Sequence, residues 1–406
     1  MVREALIRKI VGEVNSFAQE SVGIRLPDGR EIPEEAEHRV VFKSWDTLKR
    51  TLKDPEMGFG EGYMRGEIDV EGDLEKVLIA GVRYVNSLEG GKNFSVLFFK
   101  VMNTISFVNK LKEKENVQRH YDLGNDFYKL WLDSSMTYSC AFFSSPDMSL
   151  ESAQREKRKI IYEKLQLESG DRLLDIGCGW GSVILEAGEL YDVECVGITL
   201  SENQYEYIKE EIKRRNLSDR VRVYLMHYAD LPKLGEKFNK VVSVGMFEHV
   251  GREHYRAFFR TVSSVLEEGG LFLLHTIGKV HPSAQSRWIR KYIFPGGYLP
   301  GIPEILCAFE GMDFCLIDID DWRLHYYRTL KEWRKRFWEN VDKILEMYGE
   351  EFVRMWDLYL VSSAVSFYTG SNHLFQFLLS KGVKNDYPVM KRSILGVPAI
   401  PSQAVS

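Results

Sequence analysis

The chain has 406 residues, a formal net charge of −5 and 44% hydrophobic residues, a balance typical of a globular protein large enough for two domains. No run approaches the roughly 18–20 apolar residues that span a bilayer, and the acidic balance argues against a general nucleic-acid binder. Residues 1–17 lack the apolar centre of a secretory signal, so we expect a cytoplasmic protein. The five cysteines show no metal-ligand or CxxC spacing, which indicates free thiols in a reducing compartment and predicts no metal site.

The sequence pattern of residues 1–105 predicts a small α+β accessory domain. The predicted elements are a helix over residues 3–17, two short strands around the Pro-Asp-Gly turn of GIRLPDGREI, a strand in RVVFKS, a helix over Trp45–Leu52, a structured loop with a short strand over Gly58–Asp73 and a helix over Asp73–Leu88. A helix-like stretch over Phe94–Lys114 follows, and its polar tail, KLKEKENVQ, predicts a linker over residues 106–119. The second domain then occupies residues 120–406.

Strands alternate with helices from His120 onward. The predicted strands are RLLDIG, ECVGITL, VRVYLM, NKVVSVGMF and LFLLHTI, and the predicted helices are Ser152–Leu165, Ser182–Glu189, Glu202–Arg215 and Tyr255–Leu266. Such alternation predicts an α/β fold whose mainly parallel sheet carries helices on both faces. Ligands of these folds bind at the carboxyl ends of the strands, where the strand order switches.

The segment DIGCGWG, Asp175–Gly181, directly follows an apolar strand and opens a helix. Its glycines permit a tight turn and close approach of the backbone to a ligand, although dinucleotide folds carry similar turns and the simplest alternative is a structural turn alone. After the next two strands, Gln204 stands where it could meet a ribose, and Asp230 is placed to reach an adenine amino group. Together the three strand ends resemble the seven-stranded methyltransferases that use S-adenosylmethionine (SAM), in which the glycine loop lies beside the amino-acid part of SAM.

A basic and aromatic run, RLHYYRTLKEWRKR, extends over Arg323–Arg336. A shorter patch places Arg290 and Lys291 among aromatic and aliphatic residues. Basic residues beside aromatic rings suit an anionic membrane surface, because the cations meet headgroup charge and the rings sit at the interface. The alternative for both patches is a solvated helix face.

Several blocks outside the cofactor motif carry a further resemblance. They are HYDLGNDFYKLWLDSSMTYSCAFF, SVGMFEHVG, GGLFLLHTIG, WIRKYIFPGGYLP, HYYRTLKEW and FYTGSNHLFQFLLSK. In sequence, order and spacing they resemble the cyclopropane fatty acid synthases, including the mycolic acid cyclopropane synthases, over nearly the whole chain. The segment GFGEGYMRGEID resembles the additional N-terminal domain of the phospholipid-acting members. The family implies a Rossmann-like, seven-stranded methyltransferase sheet with helical lid insertions.

The resemblance implies transfer of the SAM methyl group to the cis double bond of an unsaturated acyl chain in a membrane phospholipid, followed by closure of a cyclopropane ring. Methyl transfer to an alkene creates a carbocation that aromatic faces stabilise, and aromatic residues make up 13% of this chain. The family also implies a homodimer associated peripherally with the inner face of the membrane, with the N-terminal domain presenting lipid.

In the resembling family, a bound bicarbonate ion is the base for ring closure. The positions of this chain that match its binding residues are Cys140, Glu248, His275, Ile277 and Tyr326. Backbone N–H groups at Cys140 and Ile277 can donate to an anion, as can the side chains of His275 and Tyr326. Glu248 can hold the proton of bicarbonate and make the ion more basic.

These assignments have alternatives in the sequence. Cys140 taken alone would be a buried small hydrophobe. His249 could be the acid–base residue in place of its neighbour Glu248. Tyr327 competes with Tyr326, which is chosen by motif register.

The same register predicts contacts along the SAM molecule. They are Tyr138 and Ser139 at its carboxyl end, the loop residues Asp175, Gly177 and Gly179 beside its methionine part, Thr199 and Gln204 near its ribose, and Tyr228 or Asp230 near its adenine.

Three other functions compete with cyclopropanation. Methylation of an unsaturated lipid without ring closure, or of a headgroup amine or sphingolipid base, would be favoured by loss of the bicarbonate-binding residues, which this chain keeps. A noncatalytic lipid-binding protein is disfavoured by the intact glycine loop and the matched acid–base residues. A nucleic-acid methyltransferase predicts a base-flipping motif such as Asn-Pro-Pro-Tyr, where this chain reads Gly-Met-Phe-Glu-His-Val.

Overall fold

Alternate residues of the strand His38–Phe42 are buried, as expected for a strand packed on one face. The computed structural model describes residues 2–90, 123–283 and 285–387. The N-terminal elements are α1 (Val2–Asn15), β1 (Val22–Arg25), β2 (Glu31–Ile32), β3 (His38–Phe42), α2 (Trp45–Lys53), α3 (Pro55–Met64), β4 (Ile68–Glu71) and α4 (Leu74–Gly90). The four strands form one sheet in the order β2-β1-β3-β4, which confirms the predicted α+β domain.

The glycine-rich segment after Asp54 begins as the helix α3, where the prediction of a structured loop was wrong. The short strand predicted in the same segment is β4. The Asp54 carboxylate accepts a hydrogen bond from Met57 N at 3.3 Å. Pro55 occupies the first helical position, where a missing N–H costs nothing. Each glycine in a helix interior costs about 1 kcal/mol relative to alanine, so the local sequence favours a loop and only packing can favour the helix.

Close packing by the glycines of α3 supplies that stabilisation. A Cβ on Gly60 would overlap the indole of Trp288, and one on Gly62 would lie 2.7 Å from Ile68 Cδ1. Trp288 Nε1 also donates to Met64 Sδ at 3.1 Å. Because Trp288 belongs to the second domain, α3 forms part of the surface on which the two domains meet.

The second sheet has seven strands, as predicted. They are β5 (Arg172–Ile176), β6 (Glu194–Thr199), β7 (Val221–Leu225), β8 (Phe238–Val244), β9 (Leu266–Gly278), β10 (Phe314–Asp321) and β11 (His373–Lys381). Their order is β10-β11-β9-β8-β5-β6-β7. Strands β5 to β9 pair in parallel, whereas β11 pairs antiparallel with both β9 and β10.

Helices surround this sheet. They are α5 (Asn125–Lys129), α6 (Leu150–Lys164), α7 (Ser182–Leu190), α8 (Glu202–Arg214), α9 (Tyr255–Val265), α10 (Arg287–Tyr292), α11 (Ile302–Ala308), α12 (Arg323–Glu339), α13 (Val341–Tyr348) and α14 (Glu350–Tyr368). No helix within the described ranges combines the length and the apolar composition needed to cross a bilayer. The α/β fold predicted from the strand and helix alternation is confirmed.

Strand β9 shows how helices cover both faces of the sheet. Leu273 packs in a buried cluster with Ile161 of α6, and Leu274 packs in another with Phe258 of α9. Side chains alternate between faces along a strand. His275 therefore falls on the face covered by α6.

The basic and aromatic run Arg323–Arg336 forms most of α12 and is engaged inside the molecule. Trp333 is fully buried, and Arg334 pairs with the buried carboxylate of Asp357 at 2.6 Å. The same carboxylate accepts from Trp338 Nε1 at 2.6 Å. These contacts account for Trp333 and Arg334 by packing and ion pairing within the molecule, and the membrane-surface interpretation of the run stays a prediction.

Ion pairs connect the N-terminal domain to α12 and α14. The Glu75 carboxylate accepts from Lys331 Nζ at 2.7 Å and from Tyr327 Oη at 2.5 Å, and Arg354 pairs with Asp69 at 2.8 Å. The predicted linker over residues 106–119 and the helix-like stretch before it lie outside the described residues. The boundaries at residues 105 and 120 therefore stay predictions.

Candidate active site

The glycine loop follows β5 and leads into α7. Gly177, Gly179 and Gly181 have φ angles of +81°, +54° and +83°, which residues with a Cβ adopt only with strain. A Cβ on Gly177 would also overlap the side chain of Met246. The Gly177 N–H donates to Ile198 O at 3.0 Å, and this hydrogen bond joins the loop to β6. Conformation and space both require glycine at this position.

A cavity opens at this loop, beside the carboxyl ends of the parallel strands. Eight of the nine predicted SAM contacts line it: Tyr138, Ser139, Asp175, Gly177, Gly179, Thr199, Gln204 and Tyr228. Asp230 does not line it, and its carboxylate pairs with Lys233 one turn further on. Of the two predicted adenine contacts, Tyr228 is therefore the better placed.

Two predicted ribose contacts are already joined to each other. Thr199 Oγ1 donates to Gln204 Oε1 at 2.7 Å and accepts from Ser201 N at 3.2 Å. The oxygen of the Gln204 amide is thus held by Thr199. Its NH₂ group is the part that can donate to a ribose hydroxyl.

Lys157 also lines the cavity, and the sequence analysis missed it. It is fully buried, and its Nζ donates to Ser139 Oγ at 2.7 Å. Burial, with the nearby Arg158 guanidinium, lowers the pKa of Lys157 to about 7. Burial raises the pKa of Asp175 to about 7. A signal was available, because Lys157 lies on the apolar stripe of α6, where lysine is rarely found.

Glu248 lies on a short 3₁₀-helix, Phe247–His249, that follows β8. Its Oε1 accepts from the Ile277 N–H at 2.6 Å, so this N–H, predicted to donate to an anion, is engaged by the carboxylate. Its Oε2 is buried and has no hydrogen-bond partner among the described residues. Burial raises the pKa of Glu248 to about 7, although the Ile277 N–H opposes the change. The carboxyl group can therefore gain or lose a proton near neutral pH.

His275 lies two residues before Ile277 on β9, so both side chains project from the same face of the sheet. Its Nδ1 is 3.0 Å from Gln376 Nε2. Its Nε2 is buried and lacks a hydrogen-bond partner in the part of the chain that the structure describes. Burial, together with the ammonium group of Lys157, holds the pKa of His275 well below its usual range, so the ring is neutral at pH 7.

Trp322, which was not predicted, connects three of the predicted catalytic residues. Its ring meets the His275 ring edge-on at 5.6 Å between centroids. Its carbonyl oxygen accepts from Tyr326 N at 3.1 Å and lies 4.0 Å from Cys140 Sγ. Tyr326 stacks on Phe367 at 4.5 Å. Burial raises the pKa of Cys140, so its side chain is a neutral thiol and not a nucleophile.

Two placements bear on the alternatives left by the sequence. His249 lines the same cavity as the predicted SAM contacts, and burial lowers its pKa to about 4, so its ring is neutral at pH 7. Tyr327 donates to Glu75 of the N-terminal domain. These positions favour Glu248 and Tyr326 for the predicted anion site. Neither residue lines the cavity, which reaches Ser139, the neighbour of Cys140.

The match to a family model decides the assignment. Residues 108–377 match the model described as mycolic acid cyclopropane synthetase. The chain belongs to this family. A second model, a domain of unknown function, matches residues 13–92.

Curated members of the cyclopropane synthetase family are similar over most of the chain. The chain is 37% identical to the cyclopropane-fatty-acyl-phospholipid synthase of Escherichia coli over 87% of its length and 90% of that protein. It is 38% identical to a probable fatty acid methyltransferase of Pseudomonas putida, over 67% of the chain and 70% of the relative. The chain is therefore a SAM-dependent methyltransferase, and this homology supports SAM-dependent lipid cyclopropanation.

Solved structures agree with this family assignment. The cyclopropane synthase MmaA2 of Mycobacterium tuberculosis matches with a TM-score of 0.63 and 35% identity, over 66% of this chain and 98% of that one. The mycolic acid cyclopropane synthase CmaA1, complexed with SAH and CTAB, matches with a TM-score of 0.62 and 35% identity over the same shares. Coclaurine N-methyltransferase, at 21% identity and a TM-score of 0.62 over 81% of this chain and 99% of its own, shows the shared fold.

Proposed function

We propose that this enzyme transfers the methyl group of SAM to the cis double bond of an unsaturated acyl chain in a phospholipid and closes a cyclopropane ring, with bicarbonate as the base. The observation that carries the proposal is a pair of buried polar atoms, Glu248 Oε2 and His275 Nε2, for which the described residues offer no hydrogen-bond partner. Such atoms are costly unless a ligand satisfies them.

The donor set around these atoms fits a small, protonated anion. The N–H of neutral His275 can donate a hydrogen bond to an oxygen of the anion. Glu248 Oε2 can accept a hydrogen bond from the anion's own O–H. Cys140 and Tyr326 would complete the site from the side of Trp322. Bicarbonate bound there supplies a base that is too weak a nucleophile to capture the cation. The Glu248 pKa of about 7 suits a group that exchanges a proton near neutral pH.

The role of SAM is to supply the methyl group, and the chain's part is to hold it and to stabilise the charge that forms. The SAM cavity meets an aromatic cluster at Tyr138, whose ring lies 5.2 Å from those of both Trp131 and Trp333. Tyr138 Oη is also 2.6 Å from Tyr359 Oη. Aromatic faces stabilise a nearby cation and exclude water. A double bond bound on this side of the cavity would develop its positive charge beside aromatic rings.

Phospholipid is the acceptor that we favour within this family. The relative from E. coli is named as acting on fatty-acyl phospholipid, and its similarity extends over 87% of the chain. The mycolic acid synthases match over 66% of the chain. We propose that the N-terminal domain, which contacts α12 and α14, presents phospholipid at the inner face of the membrane, and that the enzyme acts as a homodimer.

Mass spectrometry of lipids tests the proposal. Purified protein is incubated with SAM, bicarbonate and vesicles of a monounsaturated phospholipid. We expect each modified acyl chain to gain one CH₂ and lose its alkene. Gain of CH₂ with an alkene retained would refute ring closure, and SAM that stays unconsumed would refute the choice of acceptor.

Glu248→Gln should bind SAM normally but lose most of its product, because the amide cannot take up a proton. Glu253→Gln is the matched control, since Glu253 lies on the following 3₁₀-helix and is half exposed. Near-normal turnover by Glu248→Gln would remove Glu248 from the catalytic site.

A further inference from the structure

Three buried side chains form a continuous polar relay behind the catalytic site. Lys164 Nζ, at the end of α6, donates to Gln376 Oε1 at 2.5 Å. Gln376 Nε2 in turn lies 3.0 Å from His275 Nδ1. None of the three residues is more than 2% exposed. Gln376 stands directly opposite His275 in the pairing of β11 with β9, so the register of the sheet brings the amide to the imidazole.

The ammonium group determines which way the Gln376 amide points. An ammonium can only donate hydrogen bonds, so the amide atom that faces Lys164 is the oxygen. The NH₂ group then faces His275 and donates to Nδ1. Because a neutral imidazole carries one proton, Nδ1 as an acceptor leaves that proton on Nε2.

Groups at the end of β10 hold the ammonium in place. Asp320 accepts a hydrogen bond from Lys164 Nζ, and the Trp322 ring centroid lies 5.5 Å from the same nitrogen. Burial lowers the pKa of Lys164, whereas Asp320 opposes the change. Trp322 also contacts the His275 ring, so the same segment supports both ends of the relay.

We infer that Lys164 and Gln376 are positioning residues that fix His275 as the Nε2–H tautomer. The inference rests on the proposed function for the purpose of that N–H, which is to donate to the anion that serves as base. With the proton on Nδ1 instead, Nε2 would direct a lone pair at the anion, and repulsion would replace a hydrogen bond. No proton moves on His275 during the reaction, because its role is to hold the anion.

Gln376→Glu is the sharpest test of the relay. The substitution preserves the size of the side chain and its contact with Lys164, but a carboxylate only accepts, so His275 must place its proton on Nδ1. Long-range ¹H–¹⁵N NMR of ¹⁵N-histidine-labelled protein distinguishes the two tautomers, and the His275 signal is the one missing from His275→Gln. We expect an Nε2–H ring in the wild type and an Nδ1–H ring in Gln376→Glu.

Steady-state kinetics on vesicles then test the role of the tautomer. We expect kcat of Gln376→Glu to fall about 10²-fold, because the anion that serves as base is no longer held and the loss of a general base has effects in this range. The KM for SAM should stay within about twofold. Lys164→Met provides a second variant, in which the amide is no longer held and both tautomers should appear. Lys240→Met is the matched control, because Lys240 is also buried and pairs with a carboxylate, Asp171, but lies four residues from the His275-facing end of β8.

An Nδ1–H ring in the wild type, or an Nε2–H ring retained in Gln376→Glu, would overturn the inference. A reversed tautomer with unchanged kcat would overturn the role assigned to it. The NMR result does not depend on lipid chemistry, so the expected tautomers in a protein that forms no cyclopropane would support the relay and refute the proposed function.

Discussion

Replacing Glu248 with glutamine should stabilise the folded protein above neutral pH. Burial raises the pKa of this carboxyl group from 4.5 to about 7, so the folded state holds the proton more tightly than the unfolded chain does. Below pH 4.5 both states are protonated and the group has no effect on the free energy of unfolding. Between these pKa values stability falls as pH rises. At about 1.4 kcal/mol per pH unit, ionisation above pH 7 costs the folded state about 3 kcal/mol, a cost that the uncharged amide avoids.

Urea denaturation followed by tryptophan fluorescence measures this difference. In buffers free of bicarbonate, we expect Glu248→Gln to match the wild type near pH 4 and to exceed it by about 3 kcal/mol near pH 8. Glu236→Gln is a control of opposite sign, because hydrogen bonding to Arg222 lowers the pKa of Glu236, so this variant should lose stability at neutral pH. A Glu248→Gln advantage that is absent at pH 8, or equal at both pH values, would refute the reasoning.

Three further substitutions test the packing around the site. Gly177→Ala should abolish SAM binding measured by calorimetry, because the added methyl group would overlap a methionine side chain. Gly170→Ala is the control, since Gly170 has a similar φ but no neighbouring atom, and it should bind SAM normally. Equal SAM affinities of the two variants would contradict this account of the loop. Gly60→Ala should lower the free energy of unfolding by about 1–3 kcal/mol through overlap with an indole of the second domain. Gly81→Ala, whose methyl group meets no atom, is the control and should keep its thermal midpoint. An equally unchanged midpoint for Gly60→Ala would show that α3 adapts. Asp357→Asn should cost about 3 kcal/mol in denaturant, because it removes the buried carboxylate that pairs with the partly buried Arg334. A loss below about 1 kcal/mol would show that solvent compensates that arginine.

Local sequence pattern predicted the parts of the fold whose determinants are local. Strands such as RLLDIG and LFLLHTI are apolar runs between helices, so their type and order could be read directly from the chain. The family resemblance implied seven strands, but the positions of β10 and β11 were not predicted. In β10, acidic residues alternate with apolar ones, and local pattern does not explain the acids. Asp320 is explained by its hydrogen bond with Lys164, which is 156 residues away. The helix α3 was mistaken for a loop for a similar reason, since Gly60 is explained by its contact with Trp288 of the second domain.

The candidate site, too, could be predicted only in part. Motif register predicted Glu248, His275 and Ile277, and the structure brings the Glu248 carboxylate to the Ile277 N–H. Motif register could not predict Lys164 or Gln376, because their proposed role depends on a contact between residues 212 positions apart. The same limit applies to α12, because the partners of its charges lie on other elements and cannot be read from the local sequence.

The position of β11 inside the sheet has a consequence for synthesis of the chain. His275 is made 101 residues before Gln376, and β11 lies between β9 and β10. During translation, the Rossmann-like half of the sheet can form while the place of β11 is still empty. Every residue assigned to anion binding can then be present in a polypeptide whose imidazole has no fixed proton. Synthesis of β11, the last strand among the described residues, thus sets the moment at which the His275 proton can be fixed.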